Sequence, residues 1–179
     1  MNGIVKILNT SLFWWLVILM PSISMVVALY FQYALDVGPC ALCVHARIYM
    51  AGLIIVGLIG ALHKSTLLRL FLHFVCAGLC IGLSFKCWEL FGVERGFIAG
   101  SCTMSAGLPP WFALESWFPM LFQSWGLCGV TPQVILGISM AELLMPTSIA
   151  SAFLAILVAI IKTFTFNING KCLYQFVSR

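Results

Sequence analysis

The run VHARIYMAGLIIVGLIGAL, Val44 to Leu62, holds a single charged side chain, Arg47, in a stretch of membrane-spanning length. About 20 apolar residues are needed for a helix to cross a hydrocarbon core roughly 30 Å thick. Three further apolar runs of similar length lie at about 12–31, 70–87 and 148–166. The sequence therefore predicts four membrane-spanning helices, with the second at about 44–62.

The composition of the whole chain agrees with this prediction. Of 179 residues, 63% are hydrophobic and 8% charged, and the mean hydropathy is +1.11, whereas soluble domains carry about a quarter charged residues. We expect one domain over residues 1–179, an all-α bundle without a separate soluble module. The net charge of +4 forms no basic stripe, so nucleic acid is not an expected partner.

The first apolar run also has features of a signal peptide, because Lys6 precedes it and Ser22 and Ser24 would suit a cleavage site. The run continues past both serines to Tyr30 and Phe31, which makes it long enough to span. We therefore interpret it as a retained transmembrane helix.

The basic residues predict the orientation of the bundle. With both termini in the cytoplasm, six basic residues fall on that side and three on the other, as the positive-inside rule requires. The outer loops then cover about 32–43 and 88–147. The six inner residues are Lys6, Lys64, Arg69, Lys162, Lys171 and Arg179, and the three outer ones are Arg47, Lys86 and Arg95.

This topology places four of the eight cysteines in the outer loops: Cys40, Cys43, Cys102 and Cys128. Disulfides persist in oxidising compartments and are rare in the cytosol, so two outer disulfides are the simplest expectation. The other four are Cys76 and Cys80 within the third span, Cys87 at its outer end, and Cys172 in the tail.

The two outer pairs differ in what a disulfide would achieve. Cys102 and Cys128 are separated by 25 residues, so a structural bridge there would close a long loop. Cys40 and Cys43 form a C-x-x-C pair, whose bridge constrains little but whose spacing is typical of reversible redox chemistry. Structural zinc would need two short-spaced pairs, and the second pair is not one, so we expect no metal.

Arg47 follows Cys43 by four residues, which places both side chains on one face of a helix about 5–6 Å apart. The guanidinium and the amino end of the helix would both favour a thiolate on Cys43. An arginine at this depth often extends to the lipid headgroups instead. Because Arg47 lies one turn after a C-x-x-C, we favour a redox role for it. In that role Arg47 donates a hydrogen bond to a carbonyl oxygen of a lipid-soluble oxidant such as a quinone.

Four short segments resemble the DsbB family, the bacterial inner-membrane quinone reductases that form disulfides. They are PCALCVHAR at 39–47, Phe31–Gln32, SWGLC at 124–128 and LGISM at 136–140. Vitamin K epoxide reductase homologues use a similar bundle, but there the C-x-x-C comes after the loop pair. The order in this chain is the reverse and favours DsbB.

The resemblance implies a role for each matched residue. Cys40 and Cys43 would be the quinone-coupled pair, with Cys43 as the sulfur that engages the quinone and Arg47 as the quinone-side arginine. Cys102 would form the mixed disulfide with the partner, and Cys128 would pass the exchange on to Cys40. The resting bridges could be 40–43 with 102–128, or could include 40–128.

The resemblance also implies a cellular setting. The partner would be a periplasmic thioredoxin-fold oxidase of the DsbA kind, and the final acceptor ubiquinone or menaquinone from the lipid pool. The chain would be a multi-pass protein of the bacterial inner membrane, with its active cysteines on the periplasmic side.

The segment between Cys102 and Cys128 is rich in Trp and Phe and interrupted by prolines at 109, 110 and 119. It is too broken to span. We expect a short helix in the plane of the membrane interface or aromatic packing on the rim of the bundle, and the two are compatible.

A second class of function is a non-catalytic scaffold or transporter with structural disulfides. Transport usually needs polar residues within the spans, and here there are almost none. Arg47 after the C-x-x-C favours the oxidase.

Overall fold

The computed structural model describes residues 12–63, 65–99, 107–109, 114–126, 133–135 and 137–177, with backbone only for 133–135 and 168–177. Four long helices are apolar enough to cross a membrane, which confirms the predicted four-helix membrane bundle. The long helices are α1 (Leu12–Ala34), α2 (Ala41–Leu62), α3 (Thr66–Glu94) and α6 (Met140–Val177), and the short elements are α4 (Leu114–Trp117), α5 (Pro119–Phe122), β1 (Gln133–Ile135) and β2 (Ile138–Ser139).

The helices extend beyond the apolar runs that predicted them. The third continues from 87 to Glu94, and the fourth begins at Met140 rather than 148. The connection between these two helices is therefore 95–139, and the predicted outer loop of 88–147, which concerns the part outside the membrane, stays a prediction. An apolar run marks only the part of a helix that lies in hydrocarbon. Beyond it, Lys86 and Glu89 pair at 2.8 Å on a helix that simply continues.

Helices adjacent in sequence pack against each other: α1 on α2, α2 on α3, and α3 on α6. Glycines on α2 allow α1 to approach closely, since a Cβ at Gly60 would lie 2.5 Å from the Trp14 ring. Outward-facing side chains such as Phe85 and Phe153 are 70% exposed. An apolar exterior of this kind suits a lipid environment.

The interface between α3 and α6 buries the membrane-embedded cysteines. Cys76, Cys80 and Cys87 are all buried. Cys80 lies beside Ser151 and Cys87 beside Ser148, and both serines belong to α6. Cys87 is therefore a packing residue within the bundle rather than a thiol that reaches the outer surface.

The outer end of α6 is fixed by a capping box. The amide of Ser139 donates to the Glu142 carboxylate at 3.1 Å, and the Glu142 amide donates to Ser139 Oγ at 3.2 Å. Ser139 Oγ also donates to Glu94 at 2.9 Å, and Arg95 pairs with Glu142. These contacts join the outer ends of α3 and α6.

The predicted short helix of the second outer loop consists of two single turns, α4 and α5. Phe122 is buried against Val44 of α2, whereas Trp117, Phe118 and Met120 are exposed. One side of the segment therefore packs on the bundle rim, as expected. Its place in a membrane interface stays a prediction.

Candidate active site

Cys40 and Cys43 meet at the amino end of α2. Cys40 has extended backbone angles and caps the helix, its sulfur accepting from the Cys43 amide at 3.4 Å. The two sulfur atoms lie 2.9 Å apart. Cys40 is buried and Cys43 half-buried. The C-x-x-C spacing therefore brings both thiols to the positive end of a helix dipole, where a thiolate is favoured.

Arg47 lies one turn further along α2 and is only 5% exposed. Its Nη1 donates to Gln32 Oε1 at 2.6 Å and to the Leu121 carbonyl at 2.8 Å, and its Nη2 donates to the Ala28 carbonyl at 3.4 Å. Arg47 interacts electrostatically with both Cys40 and Cys43. The guanidinium is thus held inside the protein beside the sulfurs and does not extend to the headgroups.

Gln32 is the site residue whose role the sequence did not predict. It lies in the last turn of α1, is 4% exposed, and contacts Arg47 across 15 residues of sequence. The available signal was its type: an uncharged amide ending an apolar span is a polar group that must find a partner once buried.

The second outer loop lies over this site. The Met120 carbonyl accepts from Tyr33 Oη at 2.7 Å and from Gln32 Nε2 at 3.3 Å. The amides of Trp125 and Gly126 donate to the Pro39 carbonyl at 3.2 and 3.1 Å. We call residues 119–126 the covering segment. It attaches to both α1 and the residue before the C-x-x-C.

Gly38 is where the covering segment comes closest to the first outer loop. The Trp125 ring occupies the place of a Cβ at Gly38, and a Cβ at Gly126 would collide with the Gly38 carbonyl oxygen. Only glycine allows two backbones to approach this closely. In the SWG triplet at 124–126, both Trp125 and Gly126 are therefore needed for the close contact with Gly38.

A cavity of about 50 Å³ lies between the ends of α1, α2, α3 and α6. Cys40, Cys43 and Arg47 are among the residues that line it. The remaining wall is backbone of the first outer loop and apolar side chains: Ala28, Phe31, Val37, Gly38, Pro39, Ala46, Met50, Leu90, Met140 and Leu144. A ligand with an apolar body and one hydrogen-bond acceptor would match this lining.

Two of the predicted site residues, Cys102 and Cys128, lie outside the described residues. Their pairing and their roles stay predictions. In the described ranges, no group of three His, Cys, Asp or Glu side chains is placed to hold a metal ion.

A multi-pass helical bundle with a C-x-x-C pair beside a buried arginine defines a membrane protein of thiol–disulfide chemistry. Residues 10–160 match the family model described as "Disulfide bond formation protein DsbB". The chain belongs to the DsbB family, and it is a disulfide-forming membrane oxidoreductase.

Individual relatives support this membership. The chain is 32% identical over 146 residues to "Disulfide bond formation protein B 2" of Pseudomonas aeruginosa, covering 79% of this chain and 85% of that protein. It is 31% identical over 160 residues to "Disulfide bond formation protein B" of Sodalis glossinidius, with coverage of 82% and 84%. For the protein of the same name from Shewanella denitrificans, identity is 28% over 133 residues, with coverage of 72% and 75%.

Proposed function

We propose that this protein reoxidises a periplasmic DsbA-like thioredoxin-fold oxidase and passes the electrons through two cysteine pairs to a membrane quinone. It would do so in the bacterial inner membrane, with its four relay cysteines on the periplasmic side. The observation that carries the proposal is a single cavity that contains both sulfurs of the C-x-x-C pair and the buried guanidinium of Arg47.

The chemistry of the cavity fits a quinone. Arg47 has only N–H donors, and a quinone carbonyl oxygen is an acceptor. The apolar wall suits a lipid-soluble ring. A cavity of 50 Å³ is smaller than the roughly 150 Å³ that holds benzene, so flexible side chains such as Met50 and Met140 would have to move. Arg47 and Cys43 would hold the group.

A bound quinone would supply an acceptor for two electrons and two protons. The dithiol form of Cys40 and Cys43 would release two electrons and two protons when a disulfide bond forms between its sulfurs. The quinone would take up both electrons and both protons, so the step balances. Cys40 caps α2 and directly follows Pro39, which accepts hydrogen bonds from the covering segment, whereas Cys43 lies one turn before Arg47 along α2. This supports an exchange in which Cys40 faces the loop pair and Cys43 faces the acceptor.

The position of the covering segment supports the step before quinone reduction, in which the loop cysteines exchange with the C-x-x-C pair. Gly126, two residues before Cys128 in the sequence, lies against Pro39, the residue before Cys40. Thiol–disulfide exchange requires one sulfur to attack another directly. The relay would therefore run from the partner to Cys102, then from Cys128 to Cys40.

The test is optical measurement of quinone reduction by the purified protein while a reduced thioredoxin-fold partner is supplied. We expect partner-dependent quinol formation. It should require the C-x-x-C pair, because no other described thiol lines the cavity. A folded protein that forms no quinol, with outer disulfides inert to exchange, would instead support the structural-disulfide scaffold.

Arg47→Ala sharpens the same test. Removing a charged donor from a buried contact should raise the quinone KM about tenfold or more. The matched control is Arg69→Ala, since Arg69 also donates to a backbone carbonyl, that of His63 at 2.7 Å, but near the start of α3. Equal effects of the two substitutions would contradict a quinone site at Arg47.

A further inference from the structure

Gln32 lies behind Arg47 rather than in the cavity. Its side chain is 4% exposed, and it does not contribute to the cavity wall. Its amide bonds to Arg47 with one atom and to the Met120 carbonyl with the other. Any effect of Gln32 on the cavity must therefore pass through Arg47 or through the covering segment.

Only one orientation of the amide satisfies both contacts. Arg47 has donors alone, so it must face the oxygen of Gln32, and the Met120 carbonyl accepts alone, so it must face the nitrogen. The two bonds, at 2.6 and 3.3 Å, leave the amide no alternative arrangement with these partners. The orientation of Gln32 is thus fixed from both sides.

The hydrogen bonds of Arg47 show what the fixed orientation of Gln32 determines. A guanidinium has five N–H groups in a rigid plane. Three of them donate to Gln32, Leu121 and Ala28, which leaves two without an acceptor among the described residues. Because the group is planar, holding Nη1 on two acceptors also sets the direction of the remaining N–H groups.

We propose that Gln32 is a positioning residue that orients the Arg47 guanidinium for the quinone. This inference deepens the proposed function and rests on it. Gln32 does not line the cavity that would hold the quinone. It supplies the shortest hydrogen bond to Arg47, at 2.6 Å, so its loss frees the guanidinium to turn. The consequence is weaker quinone binding with the sulfur chemistry preserved.

The experiment compares Gln32→Met with Tyr33→Phe in the full chain, using the partner-driven quinone assay. Met preserves the length of the side chain, but its thioether is only a weak acceptor for Arg47 and has no donor for the Met120 carbonyl. Phe at 33 removes the 2.7 Å bond to the Met120 carbonyl and removes none of the hydrogen bonds of Arg47. We expect Gln32→Met to raise the quinone KM about five- to tenfold with kcat at saturating quinone within about twofold. The KM for the partner and both parameters of Tyr33→Phe should stay within about twofold.

A third variant, Gln32→Glu, covers the case in which Gln32→Met fails to fold. Glu keeps an acceptor for Arg47 and loses the donor to Met120. The quinone KM should remain within about twofold of the unsubstituted value, and an increase as large as that expected for Met would overturn the proposal.

The remaining outcomes separate the two proposals. An active unsubstituted protein with an unchanged quinone KM in Gln32→Met, or with equal changes in Tyr33→Phe, overturns the positioning role alone. An unsubstituted protein that reduces no quinone overturns the proposed function, and with it the role of Gln32.

Discussion

The chain contains two pairs of neighbouring cysteines, and only one of them has the surroundings of a redox centre. Cys40 and Cys43 lie 2.9 Å apart at a helix cap, beside Arg47 and a cavity. Cys76 and Cys80, four residues apart on α3 and therefore neighbours on one helix face, are both buried in the core. Proximity of two sulfurs is common to both pairs.

The difference lies in what surrounds the sulfurs. The outer pair has a helix amino terminus and a guanidinium, both of which favour a reactive thiolate, and it lines a cavity with space for a ligand. The inner pair has apolar neighbours and the Ser151 hydroxyl. A buried cysteine in such surroundings behaves as a small hydrophobic residue. The setting rather than the spacing separates a reactive pair from a packing pair.

The largest expected effect comes from comparing alanine substitutions of one cysteine in each pair. Cys43→Ala should reduce partner-driven quinol formation to below about 1%, because it removes a reacting sulfur. Cys76→Ala should retain activity within about twofold and lower the free energy of unfolding by about 1 kcal/mol through the small cavity it leaves. The quinone assay and denaturant unfolding measure the two. Loss of activity in Cys76→Ala, with the protein still folded, would break the comparison.

A smaller effect is expected where the covering segment meets the first outer loop, a contact that the inner pair lacks. Gly126→Ala would push its Cβ into the Gly38 carbonyl oxygen and displace the segment. Partner-driven turnover should fall about five- to tenfold, since small misplacements in a relay are costly. Quinone reduction driven by dithiothreitol should stay within about twofold.

Gly78→Ala is the matched control for this substitution, because a Cβ at Gly78 meets nothing within 4 Å. It should leave both rates unchanged and slightly favour the helix. If Gly126→Ala slowed the dithiothreitol reaction as much as the partner reaction, the covering segment would act on the C-x-x-C pair itself rather than on its supply of electrons.

The smallest effect concerns two serines, Ser139 at the cap of α6 beside the outer site and Ser151 within α6 beside the inner pair. Ser139→Ala removes the cap of α6, whose next residues include Met140 of the cavity wall. It should lower the free energy of unfolding by about 1 kcal/mol and raise the quinone KM by less than about threefold. Ser151→Ala, beside Cys80, should change stability by less than about 0.5 kcal/mol. Thermal unfolding and the quinone assay test both, and a KM increase confined to Ser151→Ala would reverse the assignment of the two regions.

Much of this arrangement was predictable because it is local in sequence. Apolar runs predict the four helices, and the spacing of Cys43 and Arg47 predicts their common face, since the two residues lie one turn apart on one helix. The ends of α3 and α6 were not predictable from hydropathy, because a helix continues on hydrogen bonds and caps after its apolar surface ends.

The contacts that complete the site are not local. Gln32 and Arg47 are 15 residues apart on different helices, and Leu121 and Arg47 are 74 residues apart. No periodicity links such positions. The acceptors of Arg47 follow only from the crossing of α1 with α2 and from the path of the outer loop, which are tertiary properties.

The separation between Arg47 and Leu121 also has a consequence for biosynthesis. At about 5–20 residues per second, the 74 residues between them take roughly 4 to 15 s to synthesise. During this time, of the three described acceptors, only Gln32 and the Ala28 carbonyl, both on α1, have been made. An exposed guanidinium in lipid is unfavourable. The hairpin of α1 and α2 therefore provides the first hydrogen-bond acceptors for the Arg47 charge. The order of synthesis therefore favours early pairing of α1 with α2, the same helices that hold Arg47 in the folded protein.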